Sequence, residues 1–349
     1  MIGHAPPAPG STMQAAVLRQ VGAPLALEEV DVPHPGPRQV LVRVEACGLC
    51  GIDVRIAREE WPGRLDLPRT LGHETVGRVA EVGSEVSHLR DGDRVVVPRL
   101  AWACGRCEYC LGGFESLCRR RRHAGLDVDG GFASYQLAEA DFALRVPWGV
   151  DSLDAACLSC AGATAYRAVL TAAITPGDVT AVWGIGGIGH LVVQYARHTG
   201  ATVVAVDRVE DKVAMAHELG ARETVNVDAE DAVEALRRHG GAHQVILAAP
   251  HAEAMRDAWR VLRPGGTLVV VAVPDTGTIG LPMADLVQNG ITVVGTLGAN
   301  RLDVTRALAL HAKGHTRVVH QARVLSQVNE AITELQDHKA PARLVFEMR

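Results

Sequence analysis

The chain has 349 residues, of which 48% are hydrophobic and 21% charged, and its formal net charge is −5. This length exceeds what one hydrophobic core usually supports, so the composition predicts a globular protein with two domains. The negative charge argues against a nucleic-acid or anionic-membrane partner, and no apolar run of about 18 residues is present to cross a membrane. We therefore expect a small-molecule substrate.

The first part of the chain has the pattern of β structure. Residues 1–12 lack the apolar core of a signal peptide and are interpreted as a disordered lead or an expression remnant. From Met13, short runs alternate apolar and polar residues, and turn-rich segments such as PHPGPRQ separate them, up to about residue 150. Such alternation is typical of antiparallel strands, so we predict a β-barrel or curled sheet.

One stretch of this β region, Cys47–Gly83, contains three kinds of zinc ligand. Cys50 offers a thiol, while His73 and Glu74 offer an imidazole and a carboxylate side by side. Catalytic zinc sites combine three protein ligands with one open position. Taken alone, a thiol and an imidazole this far apart fit a buried cysteine and a core histidine about equally well.

Four further cysteines predict a structural zinc site, and they are Cys104, Cys107, Cys110 and Cys118. Gaps of two, two and seven residues can converge on a tetrahedral zinc ion, and four sulfur ligands leave no open position. A disulfide framework belongs to small secreted chains, whereas this chain is long and has no signal peptide. Metal binding in a reducing cytosol, and hence a cytoplasmic location, fits the cysteines better.

Four consecutive arginines and a histidine follow these cysteines, at Arg119–His123. They could form an anion site for a substrate or partner. In a chain of net negative charge, a solvated edge is the favoured interpretation.

From Cys157 the pattern becomes helical, in the run CLSCAGATAYRAVLTA. Cys160 lies at or near the start of this predicted helix. If Cys160 joins Cys50 and His73, the catalytic zinc has its three protein ligands. Cys47 and Cys157 each precede a proposed ligand by three residues. A zinc site that uses one of them in place of Cys50 or Cys160 therefore stays open but is less favoured.

A glycine-rich turn then separates a strand from a helix. The strand VTAVWG leads into Gly184, Gly186, Gly187 and Gly189, and the strand after the following helix ends at Asp207. This whole context is the dinucleotide-binding fingerprint, in which the pyrophosphate meets the free N–H groups of a helix N-terminus. Asp207 favours NAD(H) over NADP(H) because it would repel a 2′-phosphate, although Arg208 could pair with that phosphate.

Strands and helices alternate from this point, and six strands fit between about 161 and 298. Such alternation predicts a doubly wound parallel sheet of the Rossmann type. Residues 299–349 read as a helix plus a strand and are too short to fold alone, so they should return to the first domain. The predicted domains are therefore 13–160, with a zinc lobe at 104–118, and 161–298.

From Met13 to its end, the chain resembles the zinc-containing medium-chain alcohol dehydrogenases. The resemblance rests on CGLCGID at 47–53, GHETVGRVAEVG at 72–83, the four-cysteine lobe, LSCAGATAY at 158–166 and GIGGIG at 184–189. It implies an α/β protein with a GroES-like β-barrel catalytic domain and a six-stranded Rossmann domain. It also implies two zinc ions per chain, one catalytic and one structural, and a homo-oligomer that is a dimer or a tetramer.

The resemblance assigns roles to single residues. The implied ligands of the catalytic zinc are Cys50, His73 and Cys160, with Glu74 able to ligate when water or substrate leaves. Asp53 matches the acid that orients the ligand histidine, and Asp207 and Lys212 match contacts to the adenosine ribose. Trp61 matches a wall of the substrate pocket, in which we also place Ile52 and Leu100. Since only 4% of residues are aromatic, we expect an aliphatic pocket and a hydrophobic substrate.

One departure from the family pattern bears on the reaction. The family usually carries Ser or Thr, and often His, in a relay that removes the alcohol proton, but this chain has Ile52 and Arg55 there. Isoleucine neither donates nor accepts a hydrogen bond. Alcohol–carbonyl chemistry remains the favoured function, with hydride delivery to an iminium carbon or a conjugated C=C bond as the alternative. A non-catalytic NAD- and zinc-binding scaffold is a further alternative, which the intact ligand set disfavours.

Overall fold

A computed structural model describes residues 7–8, 10–61, 63, 65–272, 280–296 and 298–348. The chain forms two compact units. The first comprises residues up to 163 together with 299–312 and 320 onward, and the second comprises 164–298 and 313–319. The predicted lead at 1–12 lies largely outside the described residues. Within the described ranges, no helix combines the length and apolar character that a membrane span requires.

Strands and helices are numbered here along the chain. The strands are β1 Thr12–Leu18, β2 Ala26–Asp31, β3 Gln39–Leu49, β4 Arg69–Thr70, β5 Thr75–Val82, β6 Arg94–Val97, β7 Leu100–Trp102, β8 Arg122–His123, β9 Tyr135–Glu139, β10 Leu144–Arg145, β11 Val179–Trp183, β12 Thr202–Asp207, β13 Glu223–Asn226, β14 Ala242–Leu247, β15 Leu262–Val270, β16 Thr292–Gly295, β17 His320–Val324 and β18 Arg343–Glu347. The helices are α1 Gly51–Ala57, α2 Glu108–Leu111, α3 Ser152–Cys157, α4 Ala163–Thr171, α5 Gly189–His198, α6 Glu210–Glu218, α7 Ala232–Arg237, α8 Ala252–Arg260, α9 Met283–Gln288, α10 Arg301–Ala312 and α11 Val328–Gln336. A π-helical turn, Leu158–Gly162, joins α3 to α4.

A mostly antiparallel sheet forms the framework of the first unit. Its strand order is β10-β6-β5-β3-β18-β17, and β9 pairs with the first half of β3. Buried side chains fill this unit in several clusters, among them one around Leu49, Phe132 and Phe346 and another around Val42 and Val95. The alternating apolar pattern of the sequence therefore forms the predicted β domain, because one side of each strand packs against such a cluster.

The C-terminal segment returns to this first sheet, where β18 lies between β3 and β17. The segment 313–319, however, belongs to the second unit. Its backbone is held there by α5, because Gln194 Nε2 donates to the Arg317 carbonyl oxygen at 3.0 Å and Gln194 Oε1 accepts from Arg317 N at 2.7 Å. The inclusion of residues 313–319 in the second unit was not predicted.

The second unit is built on six parallel strands in the order β13-β12-β11-β14-β15-β16. Strand β11 is buried throughout, as expected for a strand covered on both faces. The strand order changes direction at β11, and such a switch point is where parallel sheets bind dinucleotides. The predicted six-stranded doubly wound sheet is confirmed.

Candidate active site and metal centres

The structure brings together the four predicted ligands of the catalytic zinc, Cys50, His73, Glu74 and Cys160. Cys47 of β3 pairs with Thr75 of β5, so residues 48–50 and 73–74 lie at the same end of the sheet. Cys160 comes from the π-helical turn rather than from the start of a helix. One ligand atom from each of the four side chains lies within 4.8 Å of the others, a spacing that one zinc ion can span.

Asp53 holds the ring of His73, the histidine predicted to bind the catalytic zinc. Its Oδ1 atom lies 2.9 Å from Nδ1 of His73, and its Oδ2 atom accepts a hydrogen bond from Cys50 N at 3.0 Å. Asp53 and His73 are almost fully buried, and Nε2 of His73 is buried with no hydrogen-bond partner in the described residues. A buried imidazole held by a carboxylate at one nitrogen and free at the other fits a metal ligand.

The electrostatics of these groups also suit a metal centre. Burial opposes the charged form of His73, but Asp53 and Cys50 stabilise it and raise its pKa to about 10. The Cys160 thiol donates a hydrogen bond to Cys50, which holds the pKa of Cys50 well below its usual range and that of Cys160 well above it. A thiolate beside an imidazole is a donor set that zinc accepts.

Arg343 of β18 is part of this site, although the sequence pattern did not single it out. Its Nη2 atom donates a hydrogen bond to Glu74 Oε2, and both side chains are buried. Burial raises the pKa of Glu74 to about 7, although the charge of Arg343 favours the carboxylate. The other oxygen, Oε1, is buried without a partner in the described residues, so it is available to a metal.

The four-cysteine lobe forms a second cluster, whose members are Cys104, Cys107, Cys110 and Cys118. All four sulfur atoms lie within 4.8 Å of one another, and all eight cysteines are free thiols. Four converging thiols with no other donor fit a structural zinc ion. Arg301 of α10 anchors the lobe, because its Nε atom donates to Glu115 Oε1 at 3.0 Å.

The predicted cofactor residues form one end of the parallel sheet in the second unit. Gly184 has a φ of +90°, and a Cβ atom there would lie 2.8 Å from Ala249 N, so glycine is required. A Cβ atom at Gly186 would meet nothing within 4 Å, and this open side is where a pyrophosphate can approach the N-terminus of α5. Gly187 lies in the same turn, and Gly189 begins the helix.

Asp207 ties the end of β12 to this glycine turn. Its Oδ2 atom accepts a hydrogen bond from Ile185 N at 2.6 Å, and Oδ1 accepts from the backbone N–H groups of Arg208 and Val209. Lys212 lies in the first turn of α6, and Arg208 is exposed. The acid is thus held where an adenosine ribose would meet it in the fingerprint.

The three predicted pocket residues do not share one cluster in the described part of the chain. Ile52 and Trp61 pack against the cluster around Leu49 and Phe346. Leu100 instead packs in the cluster of the cysteine lobe. The neighbouring Arg99 is the residue that reaches Trp61, with its guanidinium carbon 5.8 Å from the centroid of the indole ring.

Comparisons with known proteins agree with this architecture. The family model for the alcohol dehydrogenase GroES-like domain matches residues 36–148, and that for zinc-binding dehydrogenases matches 187–313. An alcohol dehydrogenase from Rhizobium meliloti (strain 1021) is 42% identical over 338 residues, which are 97% of this chain and 99% of that protein. The predicted GroES-like domain is thereby confirmed.

Solved structures match with similar coverage. A zinc-binding dehydrogenase from Sinorhizobium meliloti 1021 bound to NADP is 34% identical, with a TM-score of 0.88 over 97% of this chain and 99% of that one. The alcohol dehydrogenase of Aeropyrum pernix is 30% identical, with a TM-score of 0.89 over 96% of this chain and 99% of that one. Both matches extend over the whole described fold.

Proposed function

The chain belongs to the zinc-type medium-chain dehydrogenase/reductase family and is an oxidoreductase, and from that premise we propose that it transfers hydride between NAD(H) and a hydrophobic alcohol or carbonyl compound. The convergence of Cys50, His73 and Cys160 around a buried imidazole nitrogen carries the proposal. When bound there, zinc supplies Lewis-acid polarisation of the substrate oxygen, and the nicotinamide supplies the hydride chemistry.

The protein groups hold and orient this centre. Asp53 Oδ1 accepts a hydrogen bond from the Nδ1–H group of His73 and so would leave Nε2 free to bind the metal. Glu74 Oε1 has no partner in the described residues and would be available to the metal as a further ligand, while Arg343 holds Oε2. The buried surroundings keep bulk water from these groups and strengthen their electrostatic interactions.

NADH oxidation by the zinc-loaded protein tests the proposed function directly. The panel contains aldehydes, ketones, cyclic imines and conjugated enals, with NADPH run in parallel. Turnover of aldehydes and ketones that is lost on metal removal would support the proposal. Turnover of imines or enals alone would favour the alternative reaction, and an inactive enzyme across the whole panel would favour a scaffold.

The first prediction concerns the missing proton relay. If the absent hydroxyl limits carbonyl reduction, Ile52→Thr should raise kcat/KM for an aldehyde by about 10²-fold, the lower end of the usual general acid–base contribution. Stopped-flow or steady-state NADH oxidation measures this. The matched control is Ile52→Val, which changes the shape without adding a hydroxyl. Equal rates for the two variants would mean that water or Glu74 already moves the proton.

The second prediction concerns cofactor choice. Asp207→Asn keeps an acceptor for Ile185 N but removes the charge that repels a 2′-phosphate. Because like charges placed together cost several kcal/mol, the ratio of kcat/KM for NADPH to that for NADH should rise about tenfold or more. The KM for the carbonyl substrate should stay unchanged. A ratio that does not move would show that Asp207 serves only the glycine turn.

The third prediction concerns the cysteine lobe, for which we propose a structural zinc. Cys110→Ser should remove one of two bound zinc ions and lower the thermal unfolding midpoint by roughly 5–10 °C, because such a site contributes folding energy. The freshly prepared variant should keep its kcat, since the lobe cysteines and the proposed ligands of the catalytic zinc form two different clusters. Metal analysis that still finds two zinc ions would contradict the assignment.

A further inference from the structure

Arg99 lies beside the candidate catalytic centre. Val97 of β6 pairs with Thr75, the residue directly after Glu74, so the chain beyond Val97 runs alongside the metal ligands. The carbonyl oxygen of Arg99 accepts a hydrogen bond from Ala124 N at 3.0 Å, which anchors the backbone at this residue. The half-buried guanidinium lies over the indole ring of Trp61. Its charge also contributes to the lowered pKa of His123, the residue before Ala124.

The guanidinium of Arg99 has no carboxylate partner within the described ranges, whereas several other buried and half-buried arginines of this unit do have one. Those with carboxylate partners are Arg94 with Glu45, Arg301 with Glu115, Arg323 with Glu334 and Arg343 with Glu74. An arginine side chain stays charged at every physiological pH. A partly desolvated cation without a counter-charge is costly unless a ligand supplies the counter-charge.

The groups near Arg99 do not neutralise it. His123 is largely buried, and burial together with the charges of Arg99 and Arg121 lowers its pKa to about 3. The carboxylate of Asp127 forms no ion pair with Arg99 within the described ranges, and its Oδ2 atom accepts a hydrogen bond from His123 N at 2.7 Å. Two positive charges, those of Arg99 and Arg121, thus act on His123, and paired cations of this kind favour an anion beside them.

The surroundings of Arg99 also supply an apolar surface. Trp61 offers the face of its ring beneath the guanidinium, and Ile52, Leu65 and Leu126 pack against the same cluster as Trp61. An apolar wall that ends in a planar cation matches a molecule with a hydrocarbon body and a terminal carboxylate, which a guanidinium binds through two parallel hydrogen bonds. The hydrophobic substrate predicted from the composition would then be hydrophobic in its hydrocarbon part and charged at one end.

We propose that this enzyme acts on oxo and hydroxy carboxylic acids, whose carboxylate binds Arg99 while the reacting carbon lies at the metal centre. The inference rests on the proposed hydride transfer and names its substrate class. In this proposal Arg99 determines substrate specificity, because its positive charge binds the carboxylate of the substrate. A phosphate monoester is also an anion that a guanidinium can bind, so the experiment compares a phosphate ester with a carboxylate.

The experiment compares matched aldehydes with the zinc-loaded full chain and NADH. The substrates are an aliphatic aldehyde with a terminal carboxylate, its methyl ester, and the phosphate ester of equal length. Since hydrogen bonds to a charged group contribute about 1.5–3 kcal/mol, kcat/KM for the acid should exceed that for the ester by about 10- to 100-fold. In Arg99→Met this preference should fall to about twofold, mainly through KM, while the ester is used as before.

A matched control comes from the cysteine lobe. Arg120 is exposed and lies over Trp102, with its guanidinium carbon 5.5 Å from the ring centroid. Arg120→Met makes the same change in the same kind of stacked pair and should leave the preference for the acid intact. An equal use of acid and ester by the wild type would overturn the proposal. So would an equal loss for both substrates in Arg99→Met, a raised KM for NADH alone, or a preference for the phosphate ester.

A binding measurement separates this inference from the proposed function. Valerate should raise the thermal unfolding midpoint of the wild type and of Arg120→Met more than 1-pentanol does, and this difference should vanish in Arg99→Met. If no carbonyl compound is turned over but the valerate effect follows Arg99, the hydride-transfer proposal fails and the anion site stands. If valerate and pentanol act alike, the anion site is wrong whatever the enzyme turns over.

Discussion

Cys160→Ala should abolish hydride transfer, with kcat/KM reduced at least about 10³-fold, because the metal loses one of its three protein ligands and its Lewis-acid contribution is worth several kcal/mol. Zinc content should fall from two ions to one, since the four lobe cysteines are untouched. Metal analysis and NADH oxidation on the same preparation measure both effects.

The matched control is Cys157→Ala. Cys157 is fully buried and lies three residues before Cys160, in the position that an alternative ligand pairing would use. Its replacement leaves a small cavity, with a cost of roughly 1 kcal/mol, and removes a thiol that interacts with Arg343. The variant should keep both zinc ions and most of the activity, because no zinc ligand is lost. Loss of zinc in Cys157→Ala with retention in Cys160→Ala would reverse the ligand assignment.

Arg343→Met should destabilise the first unit by about 3–5 kcal/mol, because removing one partner of a buried ion pair leaves the other charge buried alone. The partner is Glu74, which is 0% exposed. Urea unfolding monitored by circular dichroism, with zinc held constant, measures the change in the free energy of unfolding. The double variant Glu74→Gln with Arg343→Met should recover part of the loss, since it removes the orphaned charge.

The control for this prediction is Arg323→Met in the neighbouring strand β17. The ion pair of Arg323 with Glu334 is partly exposed, with side-chain accessibilities of 18% and 23%. Solvent screens such a pair, so its loss should cost about 1 kcal/mol or less. Similar losses for the two arginine variants would show that the Glu74 pair has no special role in stability.

The convergence of the candidate metal ligands can be anticipated from the sequence because such candidates are recognised by residue type and by position near strand ends. Cys50, His73 and Glu74 follow or precede paired strands, and the glycine turn at 184–189 carries its own backbone signature. These signals are local in the chain. The structure accordingly brings together the side chains that the spacing singles out.

Residues that depend on long-range pairing could not be predicted in this way. Arg343 reaches Glu74 across 269 positions of sequence, and only the pairing of β18 with β3 brings the two side chains together. The role of Leu100 as a pocket wall stays a prediction. Leu100 packs in the cluster of the cysteine lobe, whereas its neighbour Arg99 lies over Trp61, and the sequence pattern alone does not reveal this difference between adjacent residues.

The position of β18 between β3 and β17 has a consequence for the order in which the molecule is made. Strand β3 ends at Leu49, whereas its neighbour begins at Arg343, and the ribosome needs roughly 15–60 seconds to synthesise the intervening residues. During that time the growing chain exposes an unpaired strand edge next to Cys50, and open edges of this kind promote aggregation. The second unit can fold while this edge of β3 is still unpaired, and Arg343 joins the candidate active site only after β18 has been synthesised.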